Sequence, residues 1–536
     1  KLPYLLTLPP YGFLWFELTD EAQAPEWASA APDAEVERHT FVLRPDLADV
    51  AQGQSRQVLE RDILPDYIPH RRWFGAKDET VKSVAIQRLT PLPGAEDLLL
   101  GEIEVTTDSG SALYSLPLGI AWEGRQHGPY ASNLAIARVR RERHVGLLTD
   151  GFALEEFARS VVAGIRDNAK LASEGGELRF ERTAAFDLDP GAEPEWLAAE
   201  QSNSTMVLGQ QAVLKLLRKL APGEHPDAEM VDYLVRHGFA NVPPVFGTVK
   251  RISGGEETLV MLLQAFVYNQ GDGWQWTLGA LERLASDTDW SFDNYENFAA
   301  NLGRRLREMH DVLGRETDDA AFAPEVMTLE QADKLGGRIK GEVDTALERL
   351  RGASHDEETA RQVERLTAER DALIDRIGEV ARLAEGRRRT RIHGDLHLGQ
   401  VLVTGSDVMI IDFEGEPTRP LAERRAKDLP LRDVAGLVRS FDYAAVMAER
   451  GRVAGADTWE ARAHEGAAIF RSRAVEAFLE GYRSEAGEDD PLLDLLVLEK
   501  AAYEVSYEAA NRPDWIGVPA AGLARAAEKL LSGDNE

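Results

Sequence analysis

The segment from Arg391 to Glu416 constrains this chain more than any other. It carries His393-Gly394-Asp395, then Gln400, then Asp412-Phe413, and most of what separates them is apolar. Val401-Leu402-Val403-Thr404 and Val408-Met409-Ile410-Ile411 read as two short buried strands joined by a turn at Gly405-Ser406-Asp407. A hairpin of that kind brings Asp395 and Asp412 to neighbouring positions at one end of a small sheet. A lone His-x-Asp triplet arises by chance and commonly sits in a loop; the joint spacing of four polar residues around two strands carries the weight.

The side-chain types suit phosphoryl transfer. Moving a phosphoryl group from ATP needs a divalent cation to neutralise phosphate oxygens, and Mg2+ prefers oxygen ligands such as Asp412 and the Gln400 amide. Asp395 then orients the accepting hydroxyl and takes its proton, since positioning and electrostatics dominate this reaction. The amide five residues after Asp395 and the later Asp-Phe pair have the spacing of a kinase catalytic loop and its metal loop. His393 completes the catalytic set.

A length of 536 residues, 43% of them hydrophobic, leaves room for three or four packed units. The net charge of −31 disfavours nucleic acid or an anionic membrane as a partner, and the acidic runs read as solvated helix faces. Cysteine is absent, which removes disulfides and thiolate metal sites. No apolar run is long enough to span a bilayer and no signal-like segment opens the chain, so a soluble cytoplasmic enzyme is expected.

Residues 1–18 hold two strand-like runs, Tyr4-Leu5-Leu6-Thr7-Leu8 and Phe13-Leu14-Trp15-Phe16-Glu17-Leu18, split by Pro9-Pro10-Tyr11-Gly12. They read either as the tail of a preceding β-domain or as an ordinary hairpin. Residues 19–35 read as an Ala/Pro-rich linker. Residues 36–166 read as a small α+β unit: a helix over 54–68 with Val58, Ile63, Leu64 and Tyr67 on one face, then strands at 81–86, 97–105 and 112–118. Arg71 to Lys77 lies between helix and sheet, as an interdomain clamp with Trp73 and Phe74 buried or as a ligand loop.

Residues 167–270 carry the features of a nucleotide lobe. Ser202, Asn203, Ser204 and Thr205 lead into Met206-Val207-Leu208, and Gly209-Gln210-Gln211 turns back into Ala212 to Leu217, a hairpin whose tip would lie over the phosphates. The glycine pattern of a phosphate loop is missing, so those four polar residues have to supply the donors. Lys215 in the return strand reaches the phosphates, with Glu229 in the proline-started helix after Pro226 as its ion-pair partner. Thr258 to Leu263 reads as the last strand and Gln264 to Phe266 as the hinge that meets adenine. From residue 271 to 536 the pattern is helical: Phe298, Leu302, Leu306, Met309 and Leu313 mark one stripe, and Thr328 to Leu350 and Glu357 to Leu383 a helical hairpin. His310 reads either as an ordinary helix-end histidine or as a support of the catalytic loop.

Arg391-Ile392-His393-Gly394-Asp395-Leu396-His397-Leu398-Gly399-Gln400, Asp412-Phe413-Glu414-Gly415-Glu416-Pro417, Tyr503-Glu504-x-x-Tyr507-Glu508 and Asn511-Arg512-Pro513-x-Trp515 together resemble bacterial maltokinases. The resemblance runs from about Val50 to the end. It implies an α+β, bilobal fold of the protein-kinase and aminoglycoside-phosphotransferase kind, with an N-terminal α+β cap and a mainly helical C-lobe. It also implies ATP- and magnesium-dependent phosphorylation of maltose to maltose 1-phosphate for α-glucan synthesis. Because maltokinases of this kind occur fused behind trehalose synthase, residues 1–18 resemble the end of that enzyme's β-domain.

The acceptor site then falls on one stripe of the helix from Leu498 to Asn511, where Lys500, Glu504, Tyr507 and Asn511 recur every three or four residues. Tyr507 and Trp515 offer flat faces to a pyranose, Lys500, Glu504 and Arg512 offer hydrogen bonds, and His397 and Glu414 join from the two loops. The run Lys427, Asp428, Arg432 and Asp433 reads as structural or as the rim of the site. Two rival functions stay open: a kinase of another sugar such as glucosamine, and a catalytically silent module of a trehalose synthase.

Overall fold

Branched and aromatic runs bounded by Pro, Gly and Asp build the first sheet. The computed structural model describes residues 38–44, 46–77, 79–125, 129–189, 191–197, 203–286, 291–353, 356–417, 419–449, 459–483 and 490–532. The expected β-domain tail (1–18) and linker (19–35) lie outside them, as does Ser202. The first sheet runs in the order Thr40–Leu43, Ala135–Arg141, His144–Asp150, Leu118–Trp122, Leu98–Thr106, Ser111–Ser115 and Lys219–Leu220, with Ser83–Pro91 also paired to Leu98–Thr106. Thr40–Leu43 joins Ala135–Arg141 in parallel, and the other pairings are antiparallel.

The expected helix over 54–68 is broken into pieces. Gly53–Val58 is α-helical, Leu59–Ile63 widens into a π-turn, and Leu64–Tyr67 resumes the α-helix before a short 3-10 turn at Ile68–His70. Pro65 accounts for the break: it has no amide to donate, and its ring crowds the carbonyl four residues back, at Arg61. The break rotates the packing face, so Leu59, Leu64, Tyr67 and Ile68 are the buried residues, with Val58 and Ile63 at the margin. Trp73 and Phe74 are buried against Tyr114, as a clamp requires.

A second, wholly antiparallel sheet follows, in the order Pro194–Trp196, Asn203–Leu208, Ala212–Leu217, Glu256–Ala265, Val245–Ser253, Gly176–Arg182 and Lys170–Ser173. Two buried ion pairs tie it to the first sheet. Arg218 reaches Asp150 at 2.7 Å and Arg251 donates to Glu102 at 2.6 Å. Arg218 also donates to Ser204 Oγ at 2.7 Å and lies over the Trp73 and Phe152 rings, so the cap grips the strand that precedes Lys215.

The helical lobe packs on the far side of the hinge. In Asp293–Leu313 the expected stripe of Phe298, Leu302, Leu306, Met309 and Leu313 is buried. Gly303 lets Trp459–Tyr482 approach this helix, since a Cβ there would sit 2.0 Å from the Phe478 carbonyl. Leu329–Gly352 packs antiparallel to a second arm that is itself split, at Glu369, into Glu357–Ala368 and Arg370–Arg382. Among the described residues no helix is long and apolar enough to cross a membrane.

Candidate active site

The central hairpin forms as expected, with Val401–Thr404 paired to Asp407–Ile410, although its turn is only Gly405-Ser406. Before it, Gly394 adopts φ +84°, a left-handed turn that glycine makes without strain and that separates a buried His393 from a partly exposed Asp395. Both ring nitrogens of His393 face the protein: Nε2 donates to the Ile411 carbonyl at 2.9 Å, and Nδ1 accepts from the Asp395 amide at 3.4 Å. His393 therefore positions the loop, a correction to its expected place among the catalytic groups.

Beneath the loop lies Asp433, whose carboxylate accepts from the His393 amide at 2.8 Å, the Gly394 amide at 2.9 Å and the His310 ring at 3.1 Å. Burial raises the Asp433 carboxyl, but the His310 bond and charge, the His393 ring and the Gly394 amide outweigh it and hold the group below its usual range. The other nitrogen of His310 meets the Tyr482 hydroxyl at 2.9 Å. His310 is thus a support of the catalytic loop rather than a helix end without a role.

Asp412 adopts φ +67°, a left-handed conformation that aspartate tolerates better than most residues. One carboxylate oxygen accepts from the Gln400 amide at 3.0 Å and the other from Lys215. Lys215 also bonds Asp227 at 2.9 Å, and Asp227 accepts from the Phe413 amide at 3.1 Å. Burial lowers the Lys215 ammonium, yet Asp227 and Asp412 hold it well above its ordinary value. The expected Lys215–Glu229 pair is not formed. Residues two positions apart on a helix differ by about 200° around its axis, so with Asp227 turned to Lys215, Glu229 points away, to Arg391 at 2.8 Å and Arg425 at 2.9 Å.

The nucleotide hairpin is oriented differently from the expectation. Its Gly209–Gln211 tip sits at the hinge, where the Gln211 carbonyl accepts from the Phe266 amide at 3.1 Å. The opposite, polar end meets the metal loop: Asn203 donates to Glu414 at 3.1 Å. Ser204 is buried beneath Arg218 instead of facing a ligand, and Thr205 is half-buried opposite Lys215 in the adjoining strand. At the hinge the Ala265 amide donates to Pro244 and the Phe266 amide to Gln211, while Gln264 is buried in the strand, so Gln264 and Phe266 do not offer their amides to a base.

On the acceptor side a recess opens beside Asp395, lined among others by Glu416, Arg419, Lys500 and Tyr503. Lys500 Nζ lies 3.1 Å from Asp395 and 5.1 Å above the Tyr503 ring, and the Tyr503 hydroxyl bonds Glu416. The rest of the expected stripe runs further along the helix. Glu504 is taken up by Arg439 at 2.6 Å, Tyr507 is 43% exposed, and Arg512 stacks 5.4 Å from Trp515 while donating to Glu508. His397 caps the turn Leu398–Gln400 by accepting from the Gly399 amide. Glu414 is buried at the metal loop, where burial and the neighbouring Asp412 push its carboxyl up to about 7. Asp227 and Arg439 escaped the sequence reading, and Asp433, expected to be structural or at the rim of the site, anchors the catalytic loop.

A family model described as Phosphotransferase enzyme family matches residues 196–470, and one described as Maltokinase N-terminal cap domain matches residues 67–153. A glucosamine kinase from Streptacidiphilus jiangxiensis is 29% identical over 352 residues, covering 63% of this chain and 75% of its own length. One from Mycolicibacterium smegmatis is 28% identical over 342 residues, covering 61% and 78%. A solved glucosamine kinase in complex with glucosamine, ADP and inorganic phosphate superposes with a TM-score of 0.58 at 22% identity, over 86% of this chain and 98% of that one. The last likeness is one of fold.

Proposed function

We propose a sugar kinase activity on the premise that this chain, matched over residues 196–470 by the family model, belongs to the phosphotransferase enzyme family, has its kinase-like fold, and carries a maltokinase N-terminal cap. The reaction is ATP-dependent phosphorylation of maltose at its anomeric hydroxyl, giving maltose 1-phosphate for α-glucan synthesis. A cytoplasmic setting beside a trehalose synthase, fused or associated, belongs to the same reading. The observation that carries it is the opposition of two charged clusters across one loop, Asp395 with Lys500 at the recess and Lys215 with Asp412 and Gln400 at the nucleotide lobe.

Asp395 accepts a hydrogen bond from the sugar hydroxyl and takes its proton as the phosphoryl group arrives. Lys500 keeps that carboxylate ionised and adds positive charge beside the acceptor. Lys215 leaves Asp412 for the phosphates while Asp227 keeps hold of it. The donor set at Asp412 and Gln400 fits Mg2+: both carry hard oxygens, and a half-turn of the Gln400 amide exchanges its nitrogen for oxygen next to Asp412. When bound, the ion would neutralise phosphate oxygens and hold them in line. Asn203 and the half-buried Thr205, at the polar end of the hairpin, supply donors toward the phosphates.

Relatives named glucosamine kinase favour a second reading, an amino-sugar acceptor. An ammonium needs a carboxylate. Glu499, Glu504 and Glu508 along the acceptor helix are paired within the protein, to Arg338 and Arg432, to Arg439, and to Arg512, and Glu416 in the recess is bonded by the Tyr503 hydroxyl. That pairing supports a neutral sugar. The test is ATP consumption against maltose, glucose, trehalose and glucosamine, with the phosphorylated carbon located by NMR. Turnover on maltose with phosphorus on the anomeric carbon supports the proposal, and turnover on glucosamine alone replaces it with the second reading.

A further inference from the structure

Two backbone amides of the hinge are already engaged within the protein, Ala265 with the Pro244 carbonyl at 2.9 Å and Phe266 with the Gln211 carbonyl at 3.1 Å. A purine seated beside them needs its edge recognised by another group. What the backbone does not offer, the side chain of Gln264 does. This residue is 8% exposed, and among the described residues its Nε2 is buried without a hydrogen-bond partner. A buried amide nitrogen left without an acceptor is unfavourable, and folded proteins satisfy nearly all such groups.

Strand register shows which way the side chain points. Gln264 lies opposite Val213 across the pair formed by Ala212–Leu217 and Glu256–Ala265. Residues opposed in a sheet share a face, as do residues two apart in a strand, so Gln264 stands on the same face as Lys215. Along Ala212–Leu217 that face is the half-buried one, with Val213 and Lys215, while Ala212, Leu214 and Leu216 are buried in the core. From this face Lys215 crosses to Asp412, just beyond the central hairpin. In the hairpin Leu402, two residues after Gln400, is paired with Met409, and both are half-buried, whereas Val401, Val403, Val408 and Ile410 are buried. The two half-buried faces define a slot with Val213 above, Leu402 and Met409 below, Gln264 at the hinge end and Lys215 with Asp412 at the other. Apolar walls with one polar group at the inner end suit a flat heterocycle. An amide carries a donor and an acceptor side by side, the pattern that complements the exocyclic amino group of adenine and the ring nitrogen next to it.

We infer that the Gln264 side chain reads the adenine of ATP, its carbonyl accepting from the exocyclic amino group and its Nε2 donating to the neighbouring ring nitrogen once the amide turns to the base. Gln264 is thereby a specificity-determining residue for the nucleobase. The inference rests on the reading of this cleft as an ATP site. Its test is isothermal titration of the full chain with Mg2+ and no sugar, using ADP and purine riboside diphosphate, which lacks only the exocyclic amino group. The parent is expected to bind ADP about tenfold more tightly, the scale of one hydrogen bond. Gln264→Met keeps the length of the side chain and removes both polar atoms. In that variant ADP is expected to bind at least about tenfold more weakly, and the preference over purine riboside diphosphate to shrink to within about twofold. A side chain that only packs the hinge would weaken both nucleotides alike and keep the preference, a result that overturns the inference while the ATP reading stands. Unchanged ADP binding in Gln264→Met overturns it in the same way. Should Gln264→Met fail to fold, Gln264→Leu is measured in its place with the same expectation. No binding of either nucleotide by the parent would remove the ATP reading, and this inference with it.

Discussion

Lys500 Nζ lies 3.1 Å from Asp395 Oδ1, so the group that receives the acceptor's proton is held ionised before any substrate arrives. Burial raises the Asp395 carboxyl, but Lys500, followed by His397 and His393, outweighs burial and holds it below its usual range. A carboxylate of depressed pKa is competent above that pKa and fails as pH falls through it. Lys500→Met removes the largest lowering influence. The acid limb of kcat/KM for the sugar is therefore expected to move to higher pH, measured as a full pH profile of both proteins. An acid limb that stays in place would show that Lys500 does not set the charge of Asp395.

The exchange of Glu229 for Asp227 as the partner of Lys215 separates two kinds of defect. Asp227→Asn weakens the hold on Lys215 and is expected to cost about tenfold in kcat/KM for ATP, the scale of one charged hydrogen bond. Glu229→Gln leaves Arg391, a side chain only 1% exposed, short of its partner. It is expected to lower stability by about 3 kcal/mol while ATP kinetics stay within a few-fold. Denaturant unfolding and steady-state kinetics on both variants check this, and the reverse pattern would restore the Lys215–Glu229 pair.

What was legible in the sequence was local. Asp395, Gln400 and Asp412 are spaced by one turn and one hairpin, and so their grouping follows from strand geometry with no long-range information. That Asp433 joins His310 to His393 was not legible, because the two lie 40 and 83 positions from His393 and are brought beneath it only through helix packing. Lys215 was found, but its partner depends on helix phase, and a two-residue difference reverses the face. Pro65 signalled the broken helix at 53–67 plainly, although the apolar periodicity around it masked that signal.

Asp442 supplies a pH test of stability. Burial raises its carboxyl, but Arg439, Arg525 and Arg471 outweigh this and bring it down to about 2. Since the folded value lies below the unfolded one, its contribution is present above about pH 4 and is lost as pH falls toward 2, a total of about 2 kcal/mol. Unfolding free energies of the parent and Asp442→Asn between pH 2 and 6 should differ most above pH 4 and converge on acidification. A gap that does not change with pH would contradict the ion-pair account.

The most direct test of the account is single-turnover phosphoryl transfer from ATP to the sugar by Asp395→Asn, with nucleotide affinity measured on the same protein. Transfer at least about 100-fold slower, with ATP binding within a few-fold of the parent, is the expected result for loss of a positioned proton acceptor. Near-normal transfer in a correctly folded Asp395→Asn protein would contradict it and move the acceptor site elsewhere in the fold.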